Sequence, residues 1–186
     1  IAWTLYQLYI LFVGTRIPGE SYDSDLDVMD LPEISLIVPV KNEEVVISRC
    51  LEALVDQDYP WDRFEVVIVD GLSRDGTREI CEGDGKNYPE LIKIVDQKGE
   101  EGKPSALNDG LEEASGEIVG VFDADNVPDP SVLRRVARLF EDNDLSALQC
   151  RTLSINEDQN HLSKLAALAE TLWFHLLMFS DRLGLF

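Results

Sequence analysis

A chain of 186 residues is long enough to bury a full hydrophobic core, and 45% hydrophobic with 28% charged residues is a globular composition, which excludes an intrinsically disordered chain. Its 36 acidic residues face 16 basic ones. The resulting formal charge of −20 excludes nucleic acid as the main partner, because no basic face can be assembled.

Residues 1–18 begin the chain with an apolar segment that is too short to span a bilayer and lacks the basic start of a signal peptide. Trp3, Tyr6 and Tyr9 are typical of the aromatic belt at a membrane surface. We expect the end of a transmembrane helix or a membrane-associated helix, with an amphipathic helix packed on the domain as the alternative. Residues 19–33 then form an acidic linker, and a folded domain is predicted over residues 34–186.

Apolar runs predict four buried strands in this domain, at residues 34–40, 64–70, 91–95 and 117–123. Residues 145–153 are also strand-like. Because strands alternate with helical segments, the connection rules predict an α/β fold with a mainly parallel, Rossmann-type sheet flanked by helices. The strands are nearly continuous in hydrophobic residues, as strands covered on both faces should be.

Helical spacing predicts helices between and after these strands. Asn42, Asp75 and Asp129 are the predicted N-caps of three of them, while Pro104 begins another helix that Gly116 ends. A long helix with an apolar face is predicted over residues 161–180, and we expect that face to pack in the core or against a membrane.

An Asp-x-Asp pair follows the fourth strand, at Asp123 and Asp125. The chain holds five such pairs where about two are expected from composition, but the other four lie in polar or helical surroundings. Ligands bind at the carboxyl edge of open α/β sheets, and paired carboxylates there suit Mg²⁺ or Mn²⁺ together with substrate phosphates. The alternative is a solvated loop end.

Two other polar loops follow strands, at residues 39–43 and 70–73, and should meet the Asp-x-Asp pair at one edge of the sheet. Residues 99–103 add a flexible loop with Lys103 just before a helix. A cation and a helix N-terminus near two acids can hold a diphosphate, although a simple surface turn is the alternative. The loop is not a Walker A motif, whose spacing is absent.

Four motifs in order give the chain a resemblance to the family 2 inverting glycosyltransferases of GT-A fold, closest to their cellulose-synthase-like membrane branch. They are VPVKNE at 38–43, VDGLSRDGT at 69–77, GKPSALNDG at 102–110 and FDAD at 122–125. The second motif departs from the family pattern, since Gly71 stands where a second acid is common and Leu72 replaces a glycine.

The resemblance implies that Pro39, Val40 and Glu43 line the nucleoside pocket and that Asp70 reads the base. The implied donor is a nucleotide sugar, with a UDP-sugar favoured.

The same resemblance implies that Lys103 contacts the donor phosphates and that Asp123 faces the donor. Asp125 is the implied ligand of Mg²⁺ or Mn²⁺, with Asp123 as its companion carboxylate. The acceptor would be a lipid or polysaccharide, and transfer would proceed with inversion at the cytoplasmic face of the cell membrane.

The family's catalytic base and its acceptor motif should lie beyond Phe186, so we expect residues 1–186 to bind the donor without transferring sugar. A sugar-nucleotide pyrophosphorylase is one alternative function, but it requires a glycine-rich basic loop after the first strand. A non-catalytic module that binds nucleotide sugars is the other.

The three cysteines, Cys50, Cys81 and Cys150, are odd in number and far apart, which predicts reduced, buried thiols. His161 and His175 are too few and too separated for a zinc site. The excess of acids predicts adaptation to high salt, with an ordinary acidic surface as the alternative.

Overall fold

The computed structural model describes residues 31–100, 102–141, 145–153 and 160–182, together with Tyr6 and Tyr9. Apart from those two tyrosines, the predicted membrane-associated segment at 1–18 lies outside the described residues. So do residues 19–30 of the predicted acidic linker. The chain divides into two compact units, of which residues 24–146 form one and contain the sheet.

The sheet has four strands in the order β3-β2-β1-β4. They are β1 Ile34–Val40, β2 Phe64–Asp70, β3 Ile92–Asp96 and β4 Ile118–Val121. All three pairings are parallel, and the carboxyl ends of β2 and β3 are in register, with Asp70 opposite Asp96. The predicted parallel α/β fold is therefore confirmed.

Five helices lie in the described part of the chain. They are α1 Ile47–Val55, α2 Thr77–Asn87, α3 Lys103–Glu113, α4 Val132–Phe140 and α5 His161–Arg182. A short 3₁₀ turn at Trp61–Arg63 leads into β2. The predicted long helix over 161–180 is thus present as α5.

The central strands are covered on both faces, as their composition predicts. One face of β1 packs against α1, α2 and α4 through the larger core cluster, which includes Leu36, Val38 and Leu51. The opposite face packs against α3 through Ile37 and Val69. Gly110 allows that helix to approach, because a Cβ on it would lie 2.5 Å from Cγ2 of Ile37.

The prediction of a fully buried fourth strand is wrong. β4 is shorter than predicted, and Val119 and Val121 are 40% and 51% exposed. Among the described strands β4 lies at the sheet edge, beside β1, and only Ile118 and Gly120 of its four residues are half-buried. Its apolar composition fits both situations, so composition alone could not separate them.

The three predicted N-caps precede their helices without capping them. Asn42 has a left-handed backbone with φ of 58°, and its Oδ1 accepts a hydrogen bond from Arg74 N at 2.8 Å. Asp75 accepts from Thr77 N, and Asp129 accepts from the backbone N–H two residues on. Asn and Asp side chains stabilise turns in the same way as caps, which explains the error.

Gly116 does not end α3, which stops at Glu113 with Ala114 in the C-cap position. The glycine is needed for a close approach to β1, because a Cβ there would lie 2.6 Å from Ser35 N. Residues 145–153 form no strand, which corrects the prediction for that segment.

The cysteines follow the prediction in two cases of three. All three are free, and Cys50 and Cys81 are buried, but Cys150 is exposed. It lies in the irregular segment 145–153, where no strand forms to bury it.

Helix α5 belongs to the second compact unit. Its residues His161–Ser180 are long and apolar enough to cross a membrane, with a mean hydropathy of 1.3. Several of its apolar side chains are exposed in the structure, including Leu162, Leu165 and Trp173.

Candidate functional site

A cleft of about 310 Å³ lies at the carboxyl edge of the sheet. The loops after β1, β3 and β4 contribute most of its wall. Its lining residues are Pro39, Val40, Lys41, Glu43, Gly71, Gln97, Gly102, Lys103, Ala106, Asp123, Ala124 and Asp125. The structure thus brings six of the seven predicted site residues to one cleft, namely Pro39, Val40, Glu43, Lys103, Asp123 and Asp125.

The loop after β1 is fixed to the start of α2. Glu43 N donates to Thr77 Oγ1 at 2.7 Å, and Asn42 N donates to Ser73 Oγ at 3.0 Å. Thr77 itself is fully buried. These bonds hold one wall of the cleft in place before any ligand arrives, so its shape is preformed.

Asp70 is the predicted site residue that does not line the cleft. Its side chain is buried, Oδ1 accepts from Ser73 N at 3.1 Å, and Oδ2 lies 3.6 Å from Nη1 of Arg78. Gly71, the next residue, does line the cleft. A Cβ on Gly71 would lie 3.0 Å from Gln97 Oε1 and 3.3 Å from Val40 O, so a larger residue here would require these neighbours to shift.

Arg78 joins several acids beside Asp70. Its guanidinium bonds Glu82 at 2.7 Å and also pairs with Asp96. The hydrogen bond to Glu82, then the one to Asp96, raise the pKa of Arg78 above its ordinary value. At the carboxyl ends of β2 and β3 one guanidinium is therefore shared among three carboxylates.

The Asp-x-Asp pair leaves β4 in a tight turn. Asp123 N donates to Asn126 Oδ1 at 3.0 Å, and Asn126 N donates back to Asp123 O at 2.9 Å. Both carboxylates face solvent at the cleft, whereas Ala124 between them is 3% exposed and belongs to the core. The turn thereby presents both carboxylates on the same side of the chain.

The thiol of Cys50 lies behind this turn, and its Sγ is 3.6 Å from Asp123 O. Burial raises the pKa of Cys50 to about 12, and the nearby Asp125 and Asp123 carboxylates add to the rise. The thiol therefore stays protonated and acts as an apolar support with a weak donor.

Lys103 is the first residue of α3 and forms an ion pair with Asp123 across the cleft. Both side chains are 52% exposed. Gly102, just before it, has φ of 133°, a conformation that favours glycine. The Lys103 ammonium, at the start of this helix, therefore meets Asp123 from the opposite wall of the cleft.

Sequence reasoning missed Gln97, which lines the cleft between Asp96 and the loop that leads to Lys103. The missed signal was its position, since it directly follows the last residue of a parallel strand. Lys41 and Ala106 also line the cleft, within motifs that had been singled out, but had no role assigned.

The carboxylate oxygens at this cleft suit a divalent cation such as Mg²⁺ or Mn²⁺. Asp123 and Asp125 supply hard oxygen ligands, and such ions are usually held by one or two carboxylates with water and phosphate oxygens completing the shell. In the described part of the chain no group of three or more His, Cys, Asp or Glu residues could hold a metal alone. Water or the phosphate oxygens of a ligand would therefore complete the shell.

One known protein family matches most of this chain. The family described as Glycosyl transferase family 2 matches residues 35–185. Over 138 residues the chain is 43% identical to the beta-monoglucosyldiacylglycerol synthase of Synechocystis sp., covering 73% of this chain and 29% of that protein.

Two solved structures are similar in fold. The mannosyltransferase PcManGT from Pyrobaculum calidifontis, in complex with GDP-Man and Mn²⁺, superposes with a TM-score of 0.70 at 31% identity, covering 80% of this chain and 43% of that one. S. aureus TarS 1–349, in complex with UDP, gives a TM-score of 0.55 at 28% identity, with coverages of 69% and 40%. TarS is a poly(ribitol-phosphate) beta-N-acetylglucosaminyltransferase. The chain thus spans less than half the length of these relatives.

Proposed function

Because this chain belongs to glycosyl transferase family 2, we propose that it takes part in transferring a sugar from a nucleoside diphosphate donor to a lipid or glycan acceptor. The observation that carries the proposal is the meeting of Lys103, Asp123 and Asp125 at one cleft. A diphosphate placed there would find a cation, a helix start and two metal-binding carboxylates within one site. The relatives act on a diacylglycerol lipid and a poly(ribitol-phosphate), which supports both acceptor classes.

In this proposal Asp123 and Asp125 would hold Mg²⁺ or Mn²⁺. The bound ion would neutralise the charge that develops on the diphosphate as it leaves the sugar. Lys103 would bind the same diphosphate through its ammonium group. The acceptor hydroxyl would attack the anomeric carbon with inversion as the bond to the diphosphate breaks, and would give its proton to a general base.

Pro39, Val40 and Glu43 would line the nucleoside pocket, on the wall that is fixed to Thr77. Asp70 would read the base from behind Gly71, outside the present cleft lining, because a carboxylate has acceptor positions beyond those used by Ser73 and Arg78. We favour a UDP-sugar, although one similar structure holds GDP-Man and another holds UDP. Both nucleotides therefore belong in any binding test.

A place at the cell membrane, with the cleft on the cytoplasmic side, is also part of the proposal. The apolar length of His161–Ser180 and the glucosylated lipid in the name of one relative support it. Both also fit the cellulose-synthase-like membrane branch of the family.

The first test measures nucleotide affinity by calorimetry, with UDP and GDP, with and without Mn²⁺. We expect Asp125→Asn to weaken the Mn²⁺-dependent binding at least tenfold, about 1.4 kcal/mol. Glu117→Gln is the matched control, since this exposed acid lies at the amino end of the same strand. Equal affinities with and without metal in both proteins would refute the metal role.

The second test concerns the reaction. The whole protein is incubated with radiolabelled nucleotide sugars and with lipid or glycan acceptors. Transfer of label to an acceptor supports the proposal. Exchange that depends on pyrophosphate would instead identify a pyrophosphorylase, and binding without either reaction would identify a non-catalytic module.

A further inference from the structure

The loop between β3 and α3 is held by two side chains, Gln97 from its start and Asp109 from the helix that follows. We propose that these are positioning residues, which keep Lys103 and the start of α3 directed at Asp123 across the cleft. The inference rests on the proposed function, since it presumes that a nucleoside diphosphate binds between Lys103 and Asp123.

Asp109 is a buried carboxylate in the middle of α3, with 8% of its surface exposed. Its Oδ2 accepts a hydrogen bond from Lys98 N at 2.8 Å and lies 3.5 Å from Gly99 N. A buried carboxylate is costly unless it is hydrogen-bonded, so this placement has to be offset by its bonds to the loop. Asp109 itself does not line the cleft and must act through the loop.

Gln97 holds the other end of the same segment. Its Nε2 donates to Glu100 O at 2.6 Å and to Gly102 O at 3.1 Å, while its backbone N donates to Asp70 O at 3.0 Å. The side chain therefore closes a small loop that is anchored to the end of β2. Gly102 can take part because its φ of 133° suits glycine.

The hydrogen bonds of this loop fix the backbone next to Lys103. Gly102 O, which accepts from Gln97, also accepts from Ala106 N at 3.2 Å, one of the first hydrogen bonds of α3. The start of the helix is thus fixed by Gln97 on one side and by its own first turn on the other. Lys103 follows at once and pairs with Asp123.

A fixed attachment point matters because a lysine on a loose loop loses backbone freedom as well as side-chain freedom when it binds. If the loop is held in advance, less freedom is lost when Lys103 contacts a diphosphate. Loosening the loop should therefore weaken binding of the phosphates and leave binding of the nucleoside unchanged.

The experiment uses the 186-residue chain with Mn²⁺ and compares UDP with uridine, and GDP with guanosine. We expect Asp109→Asn to weaken binding of the diphosphate about tenfold while nucleoside affinity changes less than twofold. Glu112→Gln is the control, because it removes an exposed acid from the same helix. Gln97→Met should act like Asp109→Asn and replaces it if that variant does not fold.

A double-mutant cycle gives the sharper readout. In a Lys103→Gln background, Asp109→Asn should change UDP affinity less than twofold, because the residue through which it acts is gone. A full tenfold effect in that background, or equal losses for UDP and uridine, would overturn the inference. If the wild-type chain binds neither UDP nor GDP, the proposed function fails and this inference with it. If it binds and Asp109→Asn and Gln97→Met change nothing, this inference alone fails.

Discussion

The spacing of Asp123 and Asp125 is explained by the residue between them. Ala124 is buried in the larger core cluster, against the sheet and α1, while its two neighbours face the cleft. Because Ala124 is turned into the core, the two acids that flank it are left on the solvent side of the turn. A small side chain suits that position because the thiol of Cys50 lies behind the same turn.

Lys103 already supplies a cation to Asp123, which predicts opposite effects on metal and nucleotide when it is removed. Lys103→Gln should raise the affinity for Mn²⁺ alone about two- to fivefold, because an exposed ion pair is worth roughly 0.5–1 kcal/mol. The same change should weaken binding of UDP, since one phosphate contact is lost. Calorimetry with Mn²⁺ alone and with UDP measures both.

Lys98→Gln is the control for that prediction, because it removes an exposed lysine from the same loop, one that pairs with Glu113 rather than Asp123. If Lys103→Gln and Lys98→Gln change Mn²⁺ affinity equally, general charge and not the specific pair is responsible. A fall in Mn²⁺ affinity would contradict direct competition at Asp123.

The cysteines should differ sharply in reactivity. Burial raises the pKa of Cys50 and of Cys81 to about 12, helped by nearby acids such as Asp125 and Asp70 respectively. Partial burial also raises the pKa of Cys150, but this side chain is exposed and therefore accessible to a reagent. Because the thiolate is the reactive form, we expect a thiol reagent at pH 8 to label one cysteine in the native protein and all three after denaturation. Cys150→Ser should remove the native reaction, and rapid labelling that persists in this variant would contradict the predicted burial.

At the scale of elements, one glutamate connects neighbouring segments at the edge of the sheet opposite the cleft. Glu65 Oε1, on β2, accepts from Ser35 Oγ at 2.6 Å, from Ser115 N at 2.7 Å and from Ser115 Oγ at 2.8 Å. Ser35 lies on β1, and Ser115 lies in the connection from α3 to β4. Three elements therefore meet at one carboxylate.

Glu65→Gln should lower the free energy of unfolding at neutral pH by about 1–2 kcal/mol, since hydrogen bonds to a charged group are weakened. Burial raises the pKa of Glu65, but the bonds from Ser35 and Ser115 outweigh it, so the net pKa lies below its ordinary value of 4.5. A lowered pKa stabilises the fold above the unfolded-state value and ceases to do so as the pH falls through the folded one.

The difference between wild type and Glu65→Gln should therefore shrink as the pH falls below about 4.5, the ordinary value for this group. Urea denaturation at several pH values measures it. Glu117→Gln, at the exposed amino end of β4, is the control. A difference that is constant with pH would show that the charge of Glu65 does not contribute.

The strands could be predicted because a doubly covered parallel strand needs a continuous apolar run, and the runs at β1 and β2 are unambiguous. The exposure of β4 could not be predicted, because it depends on which strand takes the outermost position in the sheet. The predicted N-caps of the helices were wrong for a different reason. The side chain of Asn42 satisfies a distant backbone N–H, of Arg74, and local sequence does not reveal that choice.

The cleft was predictable in outline, because strand order places the loops after β1, β2 and β4 at one edge. Its internal contacts were not. The pairing of Lys103 with Asp123 and the bond from Asp109 to the loop depend on how α3 packs on the sheet, which motifs do not specify. The orientation of the Asp70 side chain towards Arg78 likewise depends on tertiary packing.

At the scale of the whole molecule, charge is the dominant feature. With 36 acids and 16 bases, most acids cannot have a basic partner of their own. The bases that are present are shared, since Arg78 alone contacts Asp70, Glu82 and Asp96. Self-repulsion in dilute buffer should therefore act against the compact state.

We expect the melting temperature to rise steadily from dilute buffer to multimolar KCl. Two effects act in the same direction over different ranges. Screening relieves the repulsion and is nearly complete by about 1 M, where the Debye length is about 3 Å. Salts excluded from the protein surface strengthen apolar burial at higher concentration. A rise that stops near 1 M would indicate screening of an ordinary acidic surface, and a flat or falling curve would reject adaptation to high salt, whereas a continued rise supports it.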